Sequence, residues 1–202
     1  NTLAAQSMPF VTTTGFQKHV KGLDALLDTI THTHQVLQEP AYSVLGWLTG
    51  AAAAEHRALT AESIAALAGR GMLDTSLLAN ELAYLLRGGW VKPIRAASCL
   101  QDAASISPLA GWRIVQVLEN MLPMVGEINR GSALVQLLVQ LAGEYGASIE
   151  IPEVLRPKMK GSTVLAKSLR ALEKLQPHPT ELAEQARDQA QELLDQHRCA
   201  QP

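Results

Sequence analysis

Helix start and stop signals recur along this sequence about every 15 to 20 residues, and this spacing restricts the fold more than any other feature. Ser107-Pro108 combines an N-cap residue with proline at the first helical position, and Asp74 and Pro93 mark two further starts. Between these signals leucine and alanine dominate with a helical period, and no stretch shows the alternation typical of a β-strand. The sequence therefore predicts an all-α protein.

Most of the predicted helices have clear bounds, but two boundaries depend on single residues. Thr60 is predicted as the N-cap of a short helix that ends near Gly69 and follows a helix from Ala41 to about Arg57, and Pro123 is predicted to stop the helix that begins at Pro108. The other predicted helices run from Leu23 to Leu37, from Asp74 to Leu86, from Val91 to Ala104, from Arg130 to Tyr145, from Ser162 to Leu175 and from Thr180 to Arg198.

Short connections make consecutive helices antiparallel neighbours, and a pair of them then covers about 35 to 45 residues, the size of a HEAT or armadillo repeat. Two of the helices are apolar almost all round and carry only a narrow polar line, as expected for helices wedged between neighbours in a stack. We therefore expect antiparallel helix pairs stacked as a short HEAT/armadillo-like α-solenoid. A compact multi-helix bundle is the alternative.

The chain divides into three predicted segments. Residues 1–15 are polar and aperiodic and are expected to form a linker or disordered edge; residues 16–175 form the α-helical repeat domain; residues 176–202 form an amphipathic C-terminal capping helix. Hydrophobic residues make up 47% of the chain and charged residues 18%, which excludes an intrinsically disordered protein. The first residue is asparagine, so we expect a piece of a longer polypeptide.

The sequence suggests no metal, cofactor or catalytic centre. His32 and His34 resemble a metal-binding pair, but on the predicted helix two residues at this spacing point about 200° apart. Cys99 and Cys199 show no zinc-binding or disulfide spacing, so a reducing cytoplasm is the expected location. The most apolar window, residues 41–54, is too short to span a bilayer, and no membrane association is expected.

The polar lines of the two apolar helices are the candidate partner-binding surface. Arg113, Gln116 and Asn120 form the first line, and Gln136 and Gln140 begin the second. Because helical repeats act by presenting an extended surface, we expect these five residues to contact a protein partner or another domain of the same chain.

An alternative surface is a basic stripe near the C-terminal end, formed by Lys158, Lys160, Lys167, Arg170 and Lys174. In a HEAT-like protein such a stripe could hold a nucleic-acid backbone or another anion. The net charge of −2 and the aromatic content of 4% argue against a dedicated nucleic-acid binder, and a solvated helix face is favoured.

All three tryptophans follow a glycine, in Gly46-Trp47, Gly89-Trp90 and Gly111-Trp112. Their positions in the predicted helices differ, so they do not mark a repeat. We interpret each pair as a packing feature, in which glycine admits a neighbouring backbone and the indole fills the adjacent gap.

Caps and core positions between residues 91 and 122 carry a family resemblance. Val91-Lys92-Pro93, Arg95, Ser107-Pro108-Leu109 and Val117-Leu118-Glu119 resemble the C-terminal HEAT-like helical segments of large bacterial proteins of unknown function. The resemblance covers about residues 16 to 175 and implies an α-solenoid at the end of a multidomain bacterial chain, with no catalytic residues. We therefore predict a non-enzymatic scaffold or protein-interaction module, with a nucleic-acid-binding protein as the alternative.

Overall fold

The computed structural model describes residues 54–200, with side chains described from residue 60 onwards. This part of the chain holds seven α-helices, one 3-10 helix and no β-strand, which confirms the all-α prediction there. In chain order the helices are α1 (Ala54–Gly69), α2 (Thr75–Arg87), α3 (Pro93–Ala104), α4 (Pro108–Val125), α5 (Ser132–Glu144), the 3-10 helix (Glu153–Met159), α6 (Val164–Glu173) and α7 (Glu181–Cys199). The predicted helix from Leu23 to Leu37, His32, His34 and Trp47 lie outside the described residues.

Side-chain caps fix the start of four helices. In each cap a side-chain oxygen accepts the backbone N–H of the residue three positions later, at 2.8 to 3.2 Å: α2 at Asp74, α4 at Ser107, α6 at Thr163 and α7 at Thr180. Such a bond satisfies a backbone donor that the helix itself leaves unpaired. The predicted starts at Asp74, Ser107 and Thr180 are confirmed.

Two predicted boundaries are wrong. Thr60 lies inside α1 and is fully buried, so one continuous helix covers a stretch in which a break was predicted. Pro123 lies in the last turn of α4, which continues to Val125. Because Pro123 is exposed, water can satisfy the carbonyl that loses its donor, and the helix tolerates the proline there.

The helix α4 is the centre of the described part. It packs against α1, α2, α3, α5 and α7, while α3 also contacts α1 and α5, and α6 packs between α5 and the 3-10 helix. Residues on almost every side of α4 are buried, as its apolar circumference predicts. The buried apolar residues of all the helices form one hydrophobic core around it.

The last helix, α7, belongs to this core. It packs on α4 through small side chains, since Ala183, Ala186 and Ala190 are buried and allow a close approach of the two helices. The side-chain oxygen of Gln189 accepts the backbone N–H of Leu109 at the start of α4, at 3.0 Å. A side chain from α7 therefore completes the N-terminal cap of α4.

The two described tryptophans have opposite environments. Trp112 is 2% exposed and packs against Tyr145, with ring centroids 6.0 Å apart, which agrees with the predicted packing role. Trp90 is 71% exposed, so the interpretation of this indole as a gap filler between helices is wrong. Trp90 follows Gly89, which has a positive φ of 74°, at the corner between α2 and α3.

No helix between residues 54 and 200 is both long enough and apolar enough to cross a lipid bilayer.

Candidate functional site

The first predicted polar line runs from the buried Arg113 through the half-buried Gln116 to the exposed Asn120. Arg113 is 2% exposed; its guanidinium donates to the backbone carbonyl of Leu73 and, at 2.7 Å, to the side-chain oxygen of Gln116. The Leu73 carbonyl belongs to the connection between α1 and α2. Arg113 is therefore not available to a surface partner, which corrects the prediction for this residue.

Asn120 continues the contacts of this polar line with α2. Its amide donates to the hydroxyl oxygens of Thr75 and Ser76 at 3.3 and 3.4 Å, at the first turn of α2. The sequence pattern correctly showed a line of polar residues on the largely buried helix α4. Their hydrogen-bond partners come from α2 and from the turn before it. A polar stripe on such a helix can therefore serve the contact between helices as readily as a binding surface.

The second predicted line, on α5, does reach solvent. Gln136 and Gln140 are both exposed, one helical turn apart. The Gln140 amide donates to the Glu144 carboxylate at 3.0 Å. Of the five predicted partner-binding residues, Gln140 lines a concave site.

That site is a groove of about 270 Å³ where α3, α4, α5 and α7 meet. The connection between α3 and α4 forms one wall and the end of α5 with Tyr145 forms another, and Leu182 at the beginning of α7 also lines the groove. The lining residues are Gln101, Ala104, Ser105, Ile106, Ser107, Pro108, Gln140, Leu141, Glu144, Tyr145 and Leu182. Since its walls come from separate parts of the chain, the groove exists only in the folded protein.

Tyr145 fixes the position of the two walls relative to each other. Its hydroxyl donates to the backbone carbonyl of Pro108 at 2.7 Å. Gly111 makes this contact possible, because a Cβ atom there would collide with the Tyr145 hydroxyl and lie 3.0 Å from the carbonyl oxygen of Ala104. The end of α5 is thereby held against the start of α4.

The Tyr145 hydroxyl is neutral at physiological pH. Burial raises the pKa of Tyr145 above its usual value near 10, and the nearby negative charge of Glu144 raises it further. The hydroxyl therefore remains a hydrogen-bond donor to the Pro108 carbonyl.

The polar groups of the groove differ in what they can offer a ligand. The hydroxyls of Ser105 and Ser107 are engaged with the backbone of their own helix ends. The side-chain amide of Gln101 forms no hydrogen bond with a described residue. The Glu144 carboxylate is the only charged group in the lining of the groove. Ile106 adds an apolar side chain that is half exposed. This combination can bind a polar or cationic segment with an apolar side chain.

Four of the five residues of the basic stripe are exposed lysines: Lys158, Lys160, Lys167 and Lys174. None of them forms an ion pair with a described residue. Arg170 has a different role, because its guanidinium donates to the backbone carbonyls of Met159 and Gly161. It ties the loop that carries Lys160 to the face of α6 between Lys167 and Lys174.

Among residues 54–200, no group of three or more histidine, cysteine, aspartate or glutamate side chains is arranged to hold a metal ion. Cys99 is buried and Cys199 is exposed.

No protein-family model matches the chain, and neither a curated protein nor a solved structure shows significant similarity to it. The resemblance to HEAT-like segments of large bacterial proteins therefore stays a prediction.

Sequence reasoning missed Gln101 and Ile106 as groove residues. They precede the Ser107-Pro108 start signal, so their place at a helix connection was predictable. Their position opposite Gln140 was not, because it depends on how α3 packs on α5. The place of Glu144 beside Gln140 was predictable from the sequence, since Glu144 lies one turn after Gln140 on the same helix face.

Proposed function

We propose that this chain is a non-enzymatic helical interaction module, which holds a partner protein or another domain of its own polypeptide in the groove beside α4. The observation that carries the proposal is the groove itself. It is assembled from four helices, and its walls are joined by the bond from Tyr145 to Pro108. The Gln101 side-chain amide forms no bond with a described residue, and the Glu144 carboxylate, which accepts from Gln140, has further acceptor capacity for a ligand.

The chemistry of the lining supports binding rather than catalysis. A nucleophilic serine needs a base within hydrogen-bond distance, whereas the hydroxyls of Ser105 and Ser107 face backbone groups of their own helices. Tyr145 is neutral and donates to a carbonyl. The lining thus offers directional polar groups and an apolar surface, which are the elements of a recognition site.

The helix contacts support the compact bundle over the short HEAT/armadillo-like α-solenoid. In a solenoid each repeat contacts only its neighbours, whereas α4 contacts both α1 and α7, each three α-helices away in the chain. The proposed module is accordingly a bundle around a central helix. The resemblance in residues 91–122 supports its place in a large bacterial, cytoplasmic protein.

A photo-crosslinking amino acid placed at Gln140 tests the proposal, with the same substitution at Gln136 as the matched control. Both residues are exposed on α5, but only Gln140 lines the groove. In the full-length parent polypeptide we expect a discrete crosslinked product from position 140 that disappears with Ile106→Asp and is absent from position 136. Equal products from both positions, or a product insensitive to Ile106→Asp, would show that the groove is not the binding site.

Nucleic-acid binding is a second candidate function, favoured by one specific observation. The four exposed lysines of the basic stripe have no carboxylate partner among the described residues, and Arg170 holds the loop of Lys160 beside those of α6. Unpaired cations gathered in this way can contact successive backbone phosphates.

A salt titration distinguishes this candidate from the first. Binding of duplex and single-stranded oligonucleotides by the basic stripe should weaken steeply with salt, with a slope near −0.9 per phosphate contact on duplex DNA. The combined variant Lys160→Ala/Lys167→Ala/Lys174→Ala should reduce that slope, and Lys92→Ala should not. No binding at low salt removes the candidate.

A further inference from the structure

The corner between α2 and α3 exposes an unusual amount of apolar surface. Tyr84, Trp90 and Ile94 are 64%, 71% and 68% exposed, and these are the three largest exposed fractions among the large hydrophobic residues of the described part. Single exposed apolar residues are common on soluble proteins, but three large ones within one stretch of eleven residues at a helix corner are a typical sign of an interaction site.

The turn that follows α2 places the Trp90 indole against Gly88, on the face of α2 that carries Tyr84. Gly88 lies one helical turn after Tyr84 and so shares its face of α2. The indole of Trp90 covers Gly88, since a Cβ atom there would lie 2.5 Å from its Cδ1 atom and 3.5 Å from the backbone oxygen of Tyr84. The Trp90 backbone N–H donates to the Leu85 carbonyl at 3.0 Å, which holds the turn against the helix.

Within the chain segment that forms the corner, every charged residue is positive. The sequence from residue 84 to residue 95 contains Arg87, Lys92 and Arg95 and no acidic residue. Arg87 pairs with Glu127 at 2.9 Å, whereas Lys92 and Arg95 are exposed and form no ion pair with a described residue. The corner therefore combines exposed aromatic rings with two cations that lack an acidic partner.

We propose that the α2–α3 corner is a docking site for an acidic segment of another protein, in which carboxylates flank a large apolar side chain. Tryptophan, tyrosine and arginine are the residues that contribute most to protein interfaces, and the aromatic rings of the first two bury a large area at little entropic cost. Lys92 and Arg95 supply the charge complementarity that selects an acidic partner. The same positive charge disfavours the pairing of two copies of this corner.

This site is separate from the groove, whose lining contains none of these residues. The groove holds a single negative charge at Glu144, and the corner holds positive charges. The two surfaces therefore prefer partners of opposite charge, and either proposal can fail without the other.

The test uses two capped twelve-residue peptides, one of three Leu-Leu-Glu-Glu repeats and a matched one with lysine in place of glutamate. Fluorescence anisotropy of the labelled peptides is measured against the full chain. We expect the acidic peptide to bind more tightly than the lysine peptide and Trp90→Ala to weaken its binding at least about tenfold. Val164→Ala, at an exposed apolar residue of α6, is the matched control and should leave binding unchanged.

The double variant Lys92→Glu/Arg95→Glu tests the charge separately. If circular dichroism shows that Trp90→Ala alters the fold, this variant still tests the proposal. It should abolish the preference for the acidic peptide. Equal binding of the two peptides, or no effect of either variant, would overturn the proposal. Tighter Trp90-dependent binding to anionic phospholipid vesicles or to an oligonucleotide would overturn it too, as would Trp90-dependent self-association of the chain without peptide.

Discussion

Gly111-Trp112 and Gly89-Trp90 are the same dipeptide in opposite environments. The first lies inside the central helix α4, where the glycine admits the hydroxyl of Tyr145 and the indole is buried. The second lies at a helix corner, where the glycine has a positive φ and the indole faces solvent. The dipeptide itself does not determine burial; residues distant in sequence do, because Tyr145, just after α5, packs on the buried Trp112, whereas Trp90 is 71% exposed. The first pair serves stability, and we infer that the second serves binding.

We expect the largest difference in stability between the two sites when each indole is replaced by alanine. Trp112→Ala should lower the free energy of unfolding by about 3–5 kcal/mol, because it leaves a large cavity beside Tyr145. Trp90→Ala should change it by no more than about 0.5 kcal/mol, as is usual for exposed side chains. Urea denaturation followed by circular dichroism measures both. Similar losses for the two variants would mean that Trp90 is part of the core.

The unpaired N–H group of the buried Trp112 indole allows a second comparison at the same position. The Trp112 Nε1 atom is buried and has no hydrogen-bond partner among the described residues. Leaving a buried donor unpaired costs about 1–3 kcal/mol. Trp112→Phe removes this donor and should therefore destabilise the protein much less than Trp112→Ala.

The glycines provide the next comparison. A methyl group at Gly111 meets the buried Tyr145 hydroxyl and the Ala104 backbone, so Gly111→Ala should destabilise the protein by about 1–3 kcal/mol. A methyl group at Gly88 meets the indole of Trp90, which is exposed and can move aside. Gly88→Ala should therefore be close to neutral. Thermal unfolding of both variants tests the prediction, which fails if Gly88→Ala is the more damaging.

Two tyrosines give a smaller effect with a distinct pH dependence. Tyr145→Phe removes the hydrogen bond to Pro108 and should cost about 0.5–1.5 kcal/mol at neutral pH, whereas Tyr84→Phe should cost almost nothing. The folded pKa of Tyr145 is raised, so the unfolded chain releases this proton first. The contribution of Tyr145 is complete below its unfolded pKa near 10 and is lost as the pH rises above it.

Urea denaturation of the wild type and both variants, from pH 8 upward, separates these contributions. The alkaline loss of stability should be shallower in Tyr145→Phe than in Tyr84→Phe. Parallel pH profiles would contradict the burial of Tyr145.

The smallest expected effect is at Glu119, on the solvent side of α4. Partial loss of water raises the pKa of this carboxyl, and the like charge of Glu150 raises it further. A raised carboxyl pKa means that the group favours folding at low pH and loses that contribution as the pH rises through the folded pKa. Glu119→Gln should therefore stabilise the protein at pH 7, by less than about 0.5 kcal/mol because the side chain is exposed.

At pH 4 the gain from Glu119→Gln should vanish, which is measured by denaturation at both pH values. Glu192→Gln, at an exposed position of α7, is the control for the change in net charge. A gain of equal size at pH 4 and pH 7 would contradict the effect of charge.

Helix starts were predictable from the sequence because the bonds that fix them are local. The cap at Ser107 joins two residues three positions apart, and the caps at Asp74 and Thr180 have the same span. Thr60 has the same cap chemistry yet lies inside a helix. A cap residue is therefore a strong signal only where the chain before it also stops being helical, as it does before Ser107.

The candidate site was less predictable because its contacts are not local. Arg113 was assigned to the surface from its helical spacing, but its partner Leu73 lies 40 residues away in the chain. Gln140 was identified correctly as exposed, while Ile106 across the groove was not singled out. Trp90 was interpreted as buried because an indole is usually covered. Each of these depends on which helices meet, and the pattern of one helix does not contain that information.

The bond from Gln189 to the Leu109 backbone also has a consequence for the order of events during synthesis. The central helix leaves the ribosome about 80 residues before the side chain that completes its N-terminal cap. Leu182, which lines the groove, also belongs to the late segment. The nascent chain can therefore form the central helix early, but the groove is complete only after the last helix has been made.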